Sequence, residues 1–178
     1  MGGVVDQTER GDRVTTITID EKDPAGTVDV SSPQSIPLPT EMGRTSPARL
    51  LEIVPEYQQR KRTYQPDSSA IQYLAAVIQP DDKVEVYLGT WCDDSQREVP
   101  KFLKMLDVLK SGYQIELPAS YVAVNRGKNE PRELLQGKSL EKVATFIVFR
   151  KGAEIGRVVE TPNGLLEDDL LQIFNAGR

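Results

Sequence analysis

A β-rich run that passes directly into a cysteine and then into an amphipathic helix constrains this chain most. Residues 84–88 are rich in β-branched and aromatic side chains, as is typical of a strand, and Gly89-Thr90-Trp91-Cys92 follows at once. Apolar residues then recur at helical spacing up to Ser111-Gly112: Val99, Phe102, Leu103, Leu106 and Leu109. The sequence therefore predicts that Cys92 lies where a strand ends and a helix begins.

The segments on both sides of this junction predict further helices and strands. Ser46-Pro47 marks a helix start, Pro55 interrupts that helix, and Asp67-Ser68 caps the next one. Downstream the pattern predicts a strand at 119–124, a short helix at 131–135, strands at 145–149 and 155–159 joined by a glycine turn, and a helix at 165–174. This order predicts an α/β fold, a mixed sheet with helices on both faces.

The first 44 residues differ in composition from the rest. They are rich in Asp, Thr, Ser and Pro, and the proline-rich stretch at 31–39 cannot sustain a helix or a central strand. We therefore expect an extended or partly disordered N-terminal arm at 1–44 and one domain at 45–178. Residues 14–19 and 27–30 have partial β alternation, so a short hairpin or an added edge strand is one alternative there and disorder is the other.

Composition excludes several classes of function. The formal net charge of −5 argues against general nucleic-acid binding, and the basic cluster Arg60-Lys61-Arg62 is interpreted as the end of a helix. Absence of histidine excludes Ser-His-Asp catalysis and His-based zinc sites, and no metal or other cofactor is expected. No apolar run approaches the ~20 residues that span a bilayer. A soluble protein is therefore expected. Because a single cysteine forms no intrachain disulfide, the expected compartment is the cytoplasm.

Cys92 is the candidate reactive residue of the sequence. A cysteine at a helix N-terminus faces free backbone N–H groups, which favour the nucleophilic thiolate. Asp93 and Asp94 oppose this effect with negative charge, so the sequence leaves the net direction open. Ser95 either donates a hydrogen bond to the sulfur or caps the helix. The alternative interpretation of Cys92 is a small buried hydrophobic residue.

Residues 67–176 resemble the thioredoxin superfamily in three ordered motifs. Trp91-Cys92 followed by Ser95 resembles its Trp-Cys-x-x-Cys motif, and Pro100 matches the family's helix-kinking proline. Residues 143–152 resemble its Ile-Pro-Thr strand and Lys-Asn-Gly turn, with Ala144 in the position of the cis-proline. The resemblance implies a thioredoxin-like mixed sheet flanked by helices. It also implies a substrate groove beside Cys92, formed by Trp91, Ala144 and Thr145.

Three departures from the family pattern bear on activity. Ser95 replaces the resolving thiol, Ala144 replaces the cis-proline, and Val86 stands where the family has a buried proton-transferring Asp. Because a non-proline cis peptide costs ~3 kcal/mol, a trans Val143–Ala144 bond is expected.

Three functional hypotheses follow. In the first, Cys92, assisted by Ser95, acts as a monothiol in thiol–disulfide exchange, with a disulfide- or thiol-bearing protein or glutathione as partner and a role in cell redox homeostasis. The second is a binding module of the same fold that has lost redox turnover. The third is a thiol peroxidase that forms a sulfenic acid at Cys92 and for which only Arg97 and Thr145 offer supporting side chains. Nucleic-acid and membrane partners are not expected.

Overall fold

The computed structural model describes residues 41–177 of the chain. Within this range the elements follow one another as β1 (Gly43–Thr45), α1 (Pro47–Ile53), α2 (Pro55–Thr63), α3 (Ser68–Val77), β2 (Asp82–Leu88), α4 (Asp93–Tyr113), β3 (Ala119–Ala123), α5 (Arg132–Leu135), β4 (Thr145–Arg150), β5 (Ala153–Val159) and α6 (Leu166–Ala176). The predicted order of elements from residue 67 onward is confirmed.

All five strands of the described residues belong to one mixed sheet, in the order β1-β3-β2-β4-β5. β2 and β3 are parallel, and the pairs β2–β4, β4–β5 and β1–β3 are antiparallel. In this register Val86 of β2 lies between Tyr121 of β3 and Phe146 of β4. The segment that carries Cys92 therefore leaves the sheet from its central strand.

The helix boundaries follow the capping residues of the sequence. The Ser46 hydroxyl accepts a hydrogen bond from the Arg49 N–H at 3.2 Å, and the Asp67 carboxylate accepts one from the Ala70 N–H at 2.8 Å. Pro55 interrupts the helix, as predicted from its missing backbone donor: α1 ends at Ile53 and a second helix, α2, which the sequence did not predict as a separate element, begins at Pro55. The cluster Arg60-Lys61-Arg62 occupies the last turn of α2, as interpreted from sequence.

The two faces of the sheet carry unequal hydrophobic layers, because side chains along a strand alternate between faces. On one face Val84, Val86 and Leu88 of β2 pack with buried residues of α1, α2, α3, α4 and α6. On the other face Tyr87 belongs to a smaller cluster with Ile147 and Phe149, against which the leucines of α5 and partly buried Trp91 and Cys92 pack. The sheet flanked by helices is thus confirmed, with most of the helical mass on one side.

The N-terminal predictions fall almost wholly outside the described residues. The β-rich runs at 14–19 and 27–30 and most of the arm at 1–44 lie there. Gly43–Thr45, at the arm's end, forms the edge strand β1, which the sequence pattern did not predict. Among residues 41–177 no helix has both the length and the apolar character needed to cross a bilayer.

Candidate functional site

Cys92 occupies the N-cap position of the 21-residue helix α4, at the predicted junction. Its side chain is partly exposed and makes no capping hydrogen bond. The thiol instead donates to the Val143 carbonyl, with 3.0 Å between Sγ and oxygen. From the sequence we expected the sulfur to face the free N–H groups of α4. It makes no hydrogen bond with them, because the loop before β4 presents a carbonyl acceptor to the thiol.

Ser95 lies in the protein interior beneath the cysteine. Its side chain is fully buried, and its hydroxyl oxygen accepts a hydrogen bond from the Gly89 N–H at 3.1 Å. Neither of the two roles considered from sequence, a donor to the sulfur or a helix cap, describes this contact. Ser95 instead ties the end of β2 to the first turn of α4, which fixes the path of the chain through Cys92.

Trp91 forms one wall beside the cysteine. Its indole N–H donates to the Val124 carbonyl at 3.1 Å, and the Arg126 guanidinium lies over its ring at 5.0 Å from the centroid. A Cβ atom on Gly89 would come within 2.6 Å of the indole. Gly89 is therefore needed for the close approach of the tryptophan, a role that the sequence pattern did not indicate.

The Val143–Ala144 segment also lies beside the cysteine. The expectation of a trans peptide is wrong, because this bond is cis in the structure. The carbonyls of the two residues both accept hydrogen bonds from neighbouring segments: the Val143 oxygen accepts from Cys92, and the Ala144 oxygen accepts from the Glu160 N–H at 2.6 Å. Ala144 and Thr145 are buried, and the Thr145 hydroxyl donates to the Lys142 carbonyl at 2.7 Å.

Three segments near Cys92 carry charged side chains: the first turn of α4, the loop before β4 and the loop after β5. Asp93 and Asp94 occupy the first turn of α4, where the helix dipole favours negative charge. Asp94 is held by Arg97, whose guanidinium also donates to the Thr161 hydroxyl at 2.8 Å, so the loop after β5 is joined to α4. Lys142 pairs with Glu160 at 2.6 Å, and the hydrogen bond to Glu160 raises the pKa of Lys142.

Besides Gly89, two further residues of the site were missed by sequence reasoning. The Tyr57 hydroxyl of α2 donates to the Ser95 carbonyl at 3.1 Å, and the Gln96 side-chain amide donates to the Thr90 carbonyl at 2.9 Å. Tyr57 was visible in the sequence as part of a helical apolar pattern, which indicates a buried ring and carries no information about the hydroxyl. Nothing in the sequence signalled Gln96.

The described residues hold one nucleophile at this site and no cluster suited to a metal. Among residues 41–177 no three His, Cys, Asp or Glu side chains converge as metal ligands. Arg97 and Thr145, which a peroxidase would need beside the sulfur, are both engaged elsewhere: Arg97 with Asp94, Glu98 and Thr161, and Thr145 with a backbone carbonyl. The arrangement is that of a partly exposed cysteine whose thiol is hydrogen-bonded to a buried peptide segment.

Comparison with known proteins gives similarity in structure alone. No family model and no curated protein matches the sequence. The chain is similar in structure to a protein of unknown function from Pseudomonas aeruginosa, with 17% identity and a TM-score of 0.52 over 75% of this chain and 88% of that one. An HIV epitope scaffold matches with 17% identity and a TM-score of 0.45, over 74% of this chain and 78% of the scaffold.

An oxidised thioredoxin from Plasmodium falciparum matches with 16% identity and a TM-score of 0.38, over 58% of this chain and 88% of that one. Identities this low concern the fold and not the activity. The Pseudomonas aeruginosa structure supports the α/β fold described above.

Proposed function

We propose that this chain is a thioredoxin-like monothiol protein of the cytoplasm that forms mixed disulfides through Cys92. The Cys92 thiolate attacks one sulfur of a disulfide, the S–S bond breaks, and the departing thiolate takes up a proton. An external thiol such as glutathione then attacks the substrate sulfur of the mixed disulfide, which releases the Cys92 thiolate and joins the external thiol to that substrate half in a new disulfide. One half of the substrate leaves as a thiol, the external thiol is oxidised to a disulfide with the other half, and the protein ends the cycle unchanged.

The position of the Cys92 sulfur carries this proposal. Cys92 is partly exposed at the start of a long helix, and its thiol donates a hydrogen bond to the Val143 carbonyl. When the sulfur attacks a disulfide this hydrogen bond is given up, and the positive end of the α4 dipole lies beside the negative sulfur. Asp93 and Asp94 in the same turn moderate the effect.

An external thiol is required because the chain has no second cysteine. Ser95, which takes the place of a resolving thiol in the motif, is buried and engaged with Gly89. A hydroxyl also lacks the redox chemistry of a thiol. The mixed disulfide is therefore expected to be a stable species until glutathione or another small thiol reaches it.

The test is incubation of the reduced protein with oxidised glutathione, followed by intact-mass measurement. We expect one glutathionyl group on the wild type, its removal by added reduced glutathione, and none on Cys92→Ser. Steady reduction of a model disulfide that depends on glutathione and on Cys92 would complete the case. A wild type that gains no glutathionyl group at neutral pH while remaining folded would contradict the proposal.

The second candidate, a binding module without redox turnover, is favoured by the state of Ser95. This residue stands in place of the resolving thiol, and its hydroxyl is buried and engaged with the Gly89 N–H, so it takes no part in exchange at the sulfur. If this alternative is correct, Cys92→Ser retains in a pull-down the protein partners that the wild type binds, and the wild-type complexes resist reducing agent. Loss of those partners on reduction would instead favour the monothiol.

A further inference from the structure

We propose that Tyr57 is a positioning residue for Cys92, acting through the first turn of α4. This inference rests on the monothiol function proposed above. Tyr57 comes from α2, which precedes the region that resembles the thioredoxin superfamily, so the site would be completed by an element outside that region. Its role concerns the path of the helix backbone behind the sulfur, not contact with a substrate.

The hydroxyl of Tyr57 reaches the turn that follows Cys92. The side chain is fully buried, and its O–H donates to the Ser95 carbonyl at 3.1 Å, three residues beyond the cysteine. Burial raises the pKa of Tyr57, and a negative charge on Cys92 raises it further. The hydroxyl therefore remains a hydrogen-bond donor to the Ser95 carbonyl at neutral pH.

Pro100 explains why this turn needs support from outside the helix. Proline has no N–H, so the Gln96 carbonyl lacks its partner four residues on, and the ring crowds the same turn. Three bonds from other parts of the fold hold residues 95–96: Tyr57 to the Ser95 carbonyl, Gly89 to the Ser95 hydroxyl, and the Gln96 amide to the Thr90 carbonyl. Tyr57 provides the one that comes from another helix.

Several charged or titratable groups share the neighbourhood of the sulfur. Asp93 and Asp94 lie on α4 itself, Lys142 precedes the Val143 acceptor, and Glu160 pairs with Lys142 from the end of β5. Tyr57 faces the turn from α2. Removal of the Tyr57 hydroxyl alters none of these charges. A change in thiol reactivity in Tyr57→Phe would therefore arise from the backbone of the turn.

Tyr57→Phe keeps the buried ring and deletes one donor. We expect the first turn of α4 to be held less firmly, so that the positive end of the helix is less well fixed beside the Cys92 sulfur and stabilises its negative charge less. The pH midpoint of Cys92 alkylation by iodoacetamide should rise by about 0.5, which corresponds to roughly threefold slower alkylation at neutral pH. Amide hydrogen exchange in residues 94–96 should become faster.

Tyr121→Phe is the matched control. Tyr121 is also buried, and its hydroxyl has no hydrogen-bond partner among the described residues, so this change deletes an equivalent group without breaking a bond. We expect wild-type alkylation and exchange for Tyr121→Phe. An unchanged midpoint and unchanged exchange in Tyr57→Phe would overturn the inference, as would equal shifts in both variants, which would indicate general loosening of the core.

The same measurements separate this inference from the proposed function. Alkylation needs a thiolate and no disulfide substrate, so its midpoint can be compared between variants even if oxidised glutathione fails to react with the wild type. In that case the monothiol function is lost, and the difference between Tyr57→Phe and Tyr121→Phe still decides whether Tyr57 positions Cys92. If Cys92 resists alkylation in the folded wild type at every pH, both proposals are wrong.

Discussion

Gly89 shows how one absent side chain sets the shape of the site. A Cβ at this position would lie 2.6 Å from the Trp91 indole, so Gly89→Ala forces the ring away from the Val124 carbonyl. We expect a loss of about 1–3 kcal/mol in the free energy of unfolding. Because Trp91 is the single tryptophan of the chain, its fluorescence emission reports the displacement directly.

Gly112→Ala is the control for this prediction. Gly112 lies in α4, and a Cβ there would have no neighbour within 4 Å, so we expect a gain of about 0.5–1 kcal/mol and unchanged fluorescence. If Gly89→Ala matched the wild type in both stability and emission, the close packing of Trp91 on Gly89 would be wrong.

For single residues, the sequence predicted where Cys92 lies in the fold but not which groups its side chain and that of Ser95 contact. The strand, turn and helix periodicities located Cys92 at the junction, because they depend on local pattern alone. The donation from Cys92 to Val143 joins segments 51 residues apart, and the burial of Ser95 depends on how α2 and β2 pack around it. Such contacts are set by tertiary packing, which a single sequence does not specify.

Among the elements, β2 is joined to the segment after α5 by the Glu85 carboxylate, which pairs with Lys138 on the face of the sheet that fewer helices cover. Burial by itself raises the pKa of Glu85, but hydrogen bonds from Lys138, Lys83 and Tyr87 outweigh it, so the pKa of Glu85 is lowered overall. A carboxylate with a lowered pKa binds fewer protons folded than unfolded. Its stabilising contribution is therefore present above the ordinary glutamate pKa of about 4.3 and is lost as pH falls through the folded value.

We expect Glu85→Gln to be less stable than the wild type at neutral pH and to have a flatter fall in stability on the acid side. Urea unfolding at a series of pH values from neutral to below 4 measures both. Glu116→Gln is the control, because Glu116 pairs with Lys110 on the exposed surface, where such pairs contribute little. Parallel pH profiles for Glu85→Gln and the wild type would contradict the expectation.

The elements that the sequence predicted share a strong local signal. Proline breaks, Ser and Asp caps and alternating apolar residues predicted the start of α1, the interruption at Pro55, and α3 to α6 and β2 to β5 to within a few residues. β1 was missed because it has three residues and reads as Gly-Arg-Thr, with no apolar alternation. Its strand conformation comes from pairing with β3, which is a property of the sheet and not of the segment.

For the whole domain, the end of the sheet away from Cys92 is held by one buried arginine. Arg150, the last residue of β4, binds both carboxylate oxygens of Asp82 at 2.8 Å. It also donates to the carbonyls of Val77, Phe174 and Gly177, at the ends of α3 and α6. Three segments distant in sequence, at 77–82, 150 and 174–177, thus meet on a single guanidinium, and all of its partners are acceptors.

Breaking this network should affect the global stability of the domain. Arg150→Met leaves the Asp82 carboxylate buried without its cation, and we expect a loss of about 3 kcal/mol in the free energy of unfolding by urea. The double variant Asp82→Asn with Arg150→Met removes the stranded charge and should recover part of that loss. Recovery stays incomplete, because the three carbonyls at the helix ends still lack their donor. If Arg150→Met were no less stable than the double variant, the ion pair would not hold these segments together. Because the network lies at the other end of the sheet, we expect the rate of Cys92 alkylation to be unchanged in both folded variants.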